Sequence, residues 1–484
     1  MATRANVLLI MADQHRADVM GCAGDLSVQT PHLDDLAAHG LRFSRVSCQG
    51  PLCMPARASF LTERYVRDHG VYTNWAEVPD GWPTYLQALQ SVGYHTAMLG
   101  KAHLTRDDEL SVAHVDQLAP QLVARGFTEV IETGDKFTTA TANRYTDHLA
   151  ERGLLDRYRQ HLVDRSYHGE GERGVHATKQ VSMWDATPSP VPLADYIDTW
   201  HGDAAVQWIE DYDRPDPYFL FVGFPGPHDP WDAPAEAVER WGAVSPDPPS
   251  STRRPDLEHV GAYGGLLRGM LDLSDTDTMT DEAIVGMRGA YGANVSVIDH
   301  AVGRMVDAVG ARGLEDTWII YTSDHGEMGG NHRMMSKCVL YEPAVRVPLI
   351  IRPPGGCSPL VVGDLVEHID VPATVRAIAA APEVPNSDGR SLLGHLDGTA
   401  PEPRSVAVSE NWGFASFETD RYRLVVDEDR LLACQLFDLE ADPVEDVNLV
   451  AEAAAADVLA HLMATVVGPF LATPAARPHP SPFA

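Results

Sequence analysis

Five short apolar runs, at residues 7–11, 95–99, 218–223, 318–322 and 347–351, are separated by stretches whose apolar residues recur with helical spacing. A run that is apolar on both faces has to be covered on both sides. The strands therefore belong to a largely parallel sheet with helices packed against each face. Thr30-Pro31 reads as an N-cap followed by proline in the first turn, opening a helix through Leu33, Leu36 and Ala37 that stops at Gly40. A second helix opens at Pro83-Thr84 and ends at Gly93. The longest, about residues 281–310, carries Ile284, Met287, Val295, Ile298, Val302 and Met305 and feeds the run at 318.

Residues 150–195 are polar and residues 232–280 are rich in Pro, Asp and Gly, so both read as insertions lying over the scaffold. After Pro401-Glu402-Pro403 the pattern changes to runs at 405–409, 422–426 and 436–439, then an alanine-rich helix near 451–466. The expected architecture is α/β. Residues 1–400 form a large, mostly parallel mixed sheet sandwiched by helices, residues 401–473 a small antiparallel sheet with one helix, and residues 474–484 a Pro-rich tail.

With 37 Lys+Arg against 69 Asp+Glu, the net charge is −32, a field that a nucleic acid or an anionic membrane surface would have to overcome before contact. No apolar run reaches the roughly 20 residues of a membrane-spanning helix. The run at 7–11 is too short for the apolar region of a signal peptide, so a cytoplasmic protein is expected. The six cysteines contain no Cys-x-x-Cys pair, which argues against a disulfide scaffold or a structural zinc site.

Several spacing matches fail on chemistry. Gly169-Glu170-Gly171-Glu172-Arg173-Gly174 has dinucleotide spacing, but no strand precedes it and its glutamates would repel a pyrophosphate. Gly100-Lys101 lacks a phosphate loop's upstream glycine and its Ser/Thr. Asp272, Asp275 and Asp277 lack the glycine and closing glutamate of an EF-hand.

What remains is a set of polar residues where strands end. Asp13-Gln14 follows the first run, Lys101 and His103 the second, His228 the third and Asp324-His325 the fourth. Open α/β sheets place their ligands at these carboxyl ends, and the two acidic pairs have the oxygen-rich character that suits a hard divalent cation. Elsewhere, Cys53 precedes Pro55 by two residues. A helix starting there would put the cysteine at its positive end, with Arg57 one turn on. Spacing alone leaves two readings: a buried thiol ahead of a helix, or a site for an anion.

Cys53-Met54-Pro55-Ala56-Arg57-Ala58-Ser59-Phe60-Leu61-Thr62 resembles the Cys-x-Pro-x-Arg signature of the type I sulfatases, the formylglycine-dependent members of the alkaline-phosphatase-like superfamily. Five further segments resemble that family in its own order: residues 6–18 with Asp13-Gln14; Gly100-Lys101-Ala102-His103; Pro227-His228-Asp229-Pro230; Thr322 to Gly329 with Lys337 downstream; and Leu436-Phe437-Asp438-Leu439 with Asp442-Pro443 and Asn448-Leu449.

The resemblance implies an alkaline-phosphatase-like fold and hydrolysis of a sulfate monoester to an alcohol or phenol and inorganic sulfate. It implies that a formylglycine-generating enzyme oxidises Cys53 to Cα-formylglycine during maturation. The aldehyde hydrate presents two hydroxyls, one to attack sulfur and one to expel sulfate. Asp13, Gln14, Asp324 and His325, with the modified Cys53, match the ligands of one divalent metal, Ca2+ first and Mn2+ as the alternative. Arg57 would hold the formylglycine, and Lys101 and Lys337 would clamp the sulfate oxygens. His103 would assist hemiacetal breakdown, and His228 would supply the proton to the leaving oxygen. Asn74 would line the site with them. The implied partner is a small sulfated organic molecule, and a homo-oligomer is compatible with the sequence.

Three features depart from the family pattern. Met54 and Ala56 fill variable slots, Glu63 stands where the signature usually ends in glycine, and His325 replaces a more frequent asparagine. His325 with Gln14 resembles the phosphonate monoester hydrolases and phosphodiesterases of the superfamily, whereas Lys101 with His103 is the sulfatase-type pair. Sulfate ester hydrolysis therefore ranks first, and phosphonate monoester or phosphodiester hydrolysis second. A non-catalytic binding protein with an unmodified Cys53 is the alternative from another class.

Overall fold

Every side chain of Asn6–Asp13 (β1) is buried, as a strand with parallel neighbours and helices on both faces requires. Tyr218–Pro227 (β6) and Thr317–Ser323 (β7) flank it in parallel, with Leu8 opposite Leu220 on one side and Ile319 on the other. Leu41–Phe43 (β2), His95–Gly100 (β4), Glu129–Glu132 (β5), Leu349–Arg352 (β8) and Leu360–Val362 (β9) complete the sheet in the order β5-β4-β6-β1-β7-β8-β2-β9. Only β8 runs against its neighbours. Val46–Ser47 (β3) pairs separately with Val366–Glu367 (β10). This is a computed structural model, and it describes residues 5–105, 112–165, 181–242, 249–400 and 402–473. The glycine motif at 169–174 and the expected tail lie outside them.

The two faces of β1 separate with the period of the pleat. Leu8, Ile10 and Ala12 pack with Leu33 and Leu36 of Pro31–Ala38 (α1) and with Ile298, Val302 and Met305 of the long helix Asp281–Ala311. Val7, Leu9 and Met11 pack with Met54, Ala58 and Leu61 of Cys53–Thr62 (α2), and with Leu86 and Leu89 of a helix farther on. That helix, Tyr85–Ser91, opens with the capping box of Thr84 and Gln87.

Two expectations are corrected. Thr30 makes no side-chain cap to α1. Its hydroxyl accepts from the Gly21 amide, and the Asp299 carboxylate of the long helix takes the amides of His32 and Leu33 instead. The segments at 150–195 and 232–280 do not simply lie over the scaffold. Leu155–Asp164 buries Tyr158 and Leu162, and Tyr263–Leu273 sends Tyr263, Leu266, Leu267 and Met270 into the same core as Met54. Their apolar residues are spaced for a helix face, a pattern that the surrounding Pro, Asp and Gly hid. Finally, Ala453–Leu471 is a 19-residue helical run long and apolar enough to cross a membrane by length and composition alone. Here Ala455, Leu462 and Val467 pack on the C-terminal sheet.

That sheet is an antiparallel meander of Ala407–Asn411 (β11), Phe414–Glu418 (β12), Tyr422–Asp427 (β13) and Leu432–Asp438 (β14). The sequence reading missed β12. Trp412-Gly413 joins it to β11 in a two-residue turn, with both residues at positive φ, 46° and 85°.

Candidate active site

β4, β6, β1 and β7 are neighbours in that order, so their carboxyl ends form one edge. Lys101 and His103 follow β4, His228 follows β6, Asp13 ends β1 and Asp324 follows β7. All are buried. Cys53, the first residue of α2, meets this edge from above. Its Sγ lies 3.2 Å from His325 Nε2 and 3.8 Å from Asp13 Oδ1.

Around the thiol, each charge has an assigned partner. Arg57, one turn along α2, is 2.8 Å from Asp324 Oδ2 through Nε and 3.4 Å from Asp13 Oδ2 through Nη2, and its Nη1 donates to the Lys101 carbonyl at 2.7 Å. Lys101 Nζ contacts the same Asp13 oxygen, Oδ2, and lies 3.8 Å from Asp135 Oδ2. Asp324 Oδ1 accepts the amides of Gln14 at 3.0 Å and His325 at 2.9 Å. His325 Nδ1 is 2.9 Å from the Gly326 carbonyl; donation there leaves Nε2 bare toward Cys53.

Burial alone would raise the Asp13 carboxyl, but Lys101, His228, Arg57 and His325 together hold it well below its ordinary value. Burial disfavours the Lys101 ammonium, yet Asp13 beside it outweighs that and raises it. Burial, then the Asp13 charge, pushes the Cys53 thiol up to about 11, the opposite of what a reactive thiolate needs.

Asp13, Cys53, Asp324 and His325 each offer a ligand atom within 4.8 Å of the others. Two carboxylates and an imidazole nitrogen with its other nitrogen committed fit a hard or borderline divalent cation. Gln14 belongs to the same edge, but its Oε1 accepts from Lys337 Nζ and its Nε2 donates to Glu327. Lys337 also contacts His228 Nε2, whose Nδ1 is 2.7 Å from the Asp229 carbonyl. Asn74 Oδ1 accepts the Met54 amide at 3.0 Å, which makes it a cap on the first turn of α2 beside Cys53. His103 is buried with φ at 48° on the loop after β4.

The sequence reading missed three acids here. Glu327 touches Gln14, Asp229 lies 3.5 Å from Gln14 Nε2, and Asp135 faces Lys101. Glu327 and Asp229 stand two residues and one residue from named site residues, the only signal that could have found them. The departure at Glu63 is resolved: it ends α2 in the left-handed conformation, φ 55°, where glycine would serve, and its carboxylate grips Arg376. A second group, His32, Asp299 and His300, has metal-like spacing, but the Asp299 oxygens are spent on the amides that open α1.

The sulfatase family model matches residues 5–380, and that of the N-sulphoglucosamine sulphohydrolase C-terminal region matches residues 330–468. The chain is 27% identical to the uncharacterized sulfatase YidJ of Escherichia coli (strain K12), over 94% of this chain and 85% of that protein. It is 28% identical to a choline-sulfatase of Rhizobium meliloti (strain 1021), over 92% of this chain and 82% of the relative. The crystal structure of a phosphonate monoester hydrolase of Agrobacterium radiobacter superposes with a TM-score of 0.79 at 26% identity, covering 96% of this chain and 95% of that one.

Proposed function

Because the chain belongs to the sulfatase family and is a sulfuric ester hydrolase, we propose that Cys53, converted to Cα-formylglycine by a formylglycine-generating enzyme, is its nucleophilic centre and that a small sulfate monoester is its substrate. The observation that supports this is the position of Cys53: a buried thiol at the first residue of a helix, against His325 and Asp13, with Arg57 bridging Asp13 and Asp324. Asp13, Asp324 and His325 would hold the divalent ion, Ca2+ first and Mn2+ second. Gln14 joins them only by turning its amide away from Lys337. When bound, the aldehyde hydrate supplies a nucleophilic hydroxyl and the ion supplies Lewis acidity toward the sulfuryl oxygens.

The chain's own residues do the rest. Arg57 fixes both carboxylates and spreads one positive charge between them. Lys101 and Lys337 flank Cys53 and meet the charge of a sulfuryl group in a site sealed from water, where such contacts are strongest. The proton for the leaving oxygen is held between Lys337 Nζ and His228 Nε2, with His228 oriented through Nδ1 on Asp229. His103 lies on the Lys101 loop for the step that restores the aldehyde.

Mass spectrometry of the Cys53 peptide after co-expression with the modifying enzyme should show aldehyde, and Cys53→Ala should abolish turnover. Thiol alone in an active enzyme, or unchanged turnover by the alanine variant, overturns the proposal. His325 with Gln14, and the superposition on a phosphonate monoester hydrolase, favour a second reading, hydrolysis of a phosphonate monoester at the same centre. A kcat/KM for an aryl phosphonate monoester exceeding that for an aryl sulfate by about a hundredfold, roughly 3 kcal/mol in the barrier, reverses the order.

A further inference from the structure

Gln14 and Lys337 meet beside the Cys53 centre, and both stand on strained backbone. Gln14 has φ at 69°, and Lys337 lies between Ser336 at 69° and Cys338 at 73°. None of the three is glycine, so each carries left-handed strain that its surroundings must hold. The backbone of Gln14 is held at both ends. Its amide donates to Asp324 Oδ1 at 3.0 Å, and its carbonyl accepts from the Tyr291 hydroxyl at 2.7 Å. The side-chain amide of Gln14 is set by other contacts.

Glu327, fully buried, divides its two oxygens between these segments. Oε1 accepts the amides of Gly329 at 2.9 Å and Ser336 at 2.6 Å, closing the loop that delivers Lys337 one residue on. Oε2 accepts from Gln14 Nε2, which Asp229 Oδ1 also faces at 3.5 Å. On its other side, Gln14 Oε1 accepts from Lys337 Nζ. An ammonium only donates and a carboxylate only accepts, so the amide fits one way round. Turned by half a revolution, its oxygen would face two carboxylates and its NH2 group an ammonium.

We propose that Glu327 is a positioning residue for the reaction: one oxygen holds Lys337 at the centre, and the other keeps the Gln14 amide oxygen turned inward, available to Lys337 or to the divalent ion. The inference rests on reading the Cys53 centre as a metal-dependent ester hydrolase. Exchanging the two side-chain types has a specific consequence. In Glu327→Gln the new amide oxygen still serves Gly329 and Ser336, so the loop is kept. Its NH2 group points at Gln14, which must turn round and offer its own NH2 group to Lys337. Gln14→Glu alone sets two carboxylates face to face. Both exchanges together restore one donor and one acceptor across the contact, with an oxygen again toward Lys337.

The test titrates Mn2+ into the metal-stripped, formylglycine-bearing enzyme and measures kcat/KM for 4-nitrophenyl sulfate. Glu327→Gln should keep a Tm near that of wild type. Its Kd for Mn2+ should rise at least about tenfold, and its kcat/KM should fall at least about a hundredfold. Gln14→Glu should lose as much. The double variant should recover at least about tenfold in both measurements, because the two positions act as a unit. A Glu327→Gln enzyme with wild-type Mn2+ affinity and kcat/KM overturns the assignment. So does a double variant whose losses are the product of the two single losses, since the positions would then act independently. If Glu327→Gln does not fold, the double variant decides: folded and binding Mn2+ more tightly than Gln14→Glu it supports the assignment, and otherwise it overturns it. A wild-type enzyme that binds no Mn2+ or Ca2+ and hydrolyses neither an aryl sulfate nor an aryl phosphonate monoester overturns the reading of the centre, and this inference with it.

Discussion

Arg57 has three contacts to maintain at once, to Asp324, to Asp13 and to the Lys101 carbonyl, and its side chain is only 2% exposed. A guanidinium meets all three because its donors form a rigid planar fork; an ammonium is a point charge that cannot span them. Arg57→Lys should therefore leave one buried carboxylate poorly compensated. Breaking such a pair costs on the order of 3–5 kcal/mol when one partner is removed, and a partial loss of about half that is expected here. The variant should unfold at lower denaturant, bind its divalent ion more weakly by metal titration, and lose at least about a hundredfold in kcat/KM. Wild-type metal affinity in Arg57→Lys would show that the fork is not what positions Asp13 and Asp324. The sequence suggested Arg57 through its place one turn after Cys53. It carried Glu327 and Asp229 within recognisable segments without giving them a role, and it did not reveal Asp135, because an isolated acid looks like surface until the fold buries it.

Helix α2 shows how an element can keep its geometry while departing from its usual pattern. It ends on Glu63 in the left-handed region, which costs a residue with a Cβ roughly 1 kcal/mol relative to glycine. In return the Glu63 carboxylate takes both Arg376 Nε and Nη2, the latter at 2.7 Å, and Ser387 Oγ, with glutamate fully buried. Glu63→Gly should relieve the strain yet strand a buried guanidinium, for a net loss of about 2–4 kcal/mol in denaturant unfolding. Adding Arg376→Leu should restore part of it. A Glu63→Gly protein more stable than wild type would mean that the ion pair contributes nothing. The sequence showed the missing glycine but not its replacement, since Arg376 lies 313 residues away. Strands were legible where length and burial coincided, as in β1, β4, β6, β7 and β8. The short β2, β5 and β9 were not, because three or four partly exposed residues make no run.

For the whole molecule, the sequence conveyed class and edge but not order. The strand ends bearing Asp13, Lys101, His228 and Asp324 were identifiable one by one, while their adjacency in the sheet follows from crossovers spanning up to a hundred residues or more, which no local pattern encodes. The same packing gives the protein a pH limit. His69 accepts the Val71 amide on Nδ1 at 3.0 Å and lies 2.8 Å from Ser59 Oγ through Nε2. His201 is 2.7 Å from the Ile197 carbonyl and 2.8 Å from Thr133 Oγ1. Burial lowers both to about 3, helped at His69 by Arg64. A histidine depressed below its unfolded value of about 6.5 stabilises the fold above that pH, and the contribution drains as pH falls toward the folded value. Between pH 7.5 and 5.5 each should remove about 1.4 kcal/mol, about 3 kcal/mol for the pair. Buried acids raised to about 7, Asp299 and Glu367 among them, act with the opposite sign in the same window. Denaturant unfolding of wild type beside His69→Gln at the two pH values therefore isolates the His69 share, about 1.4 kcal/mol. If wild type and His69→Gln change stability equally across that window, the His69 imidazole is not held neutral by its surroundings.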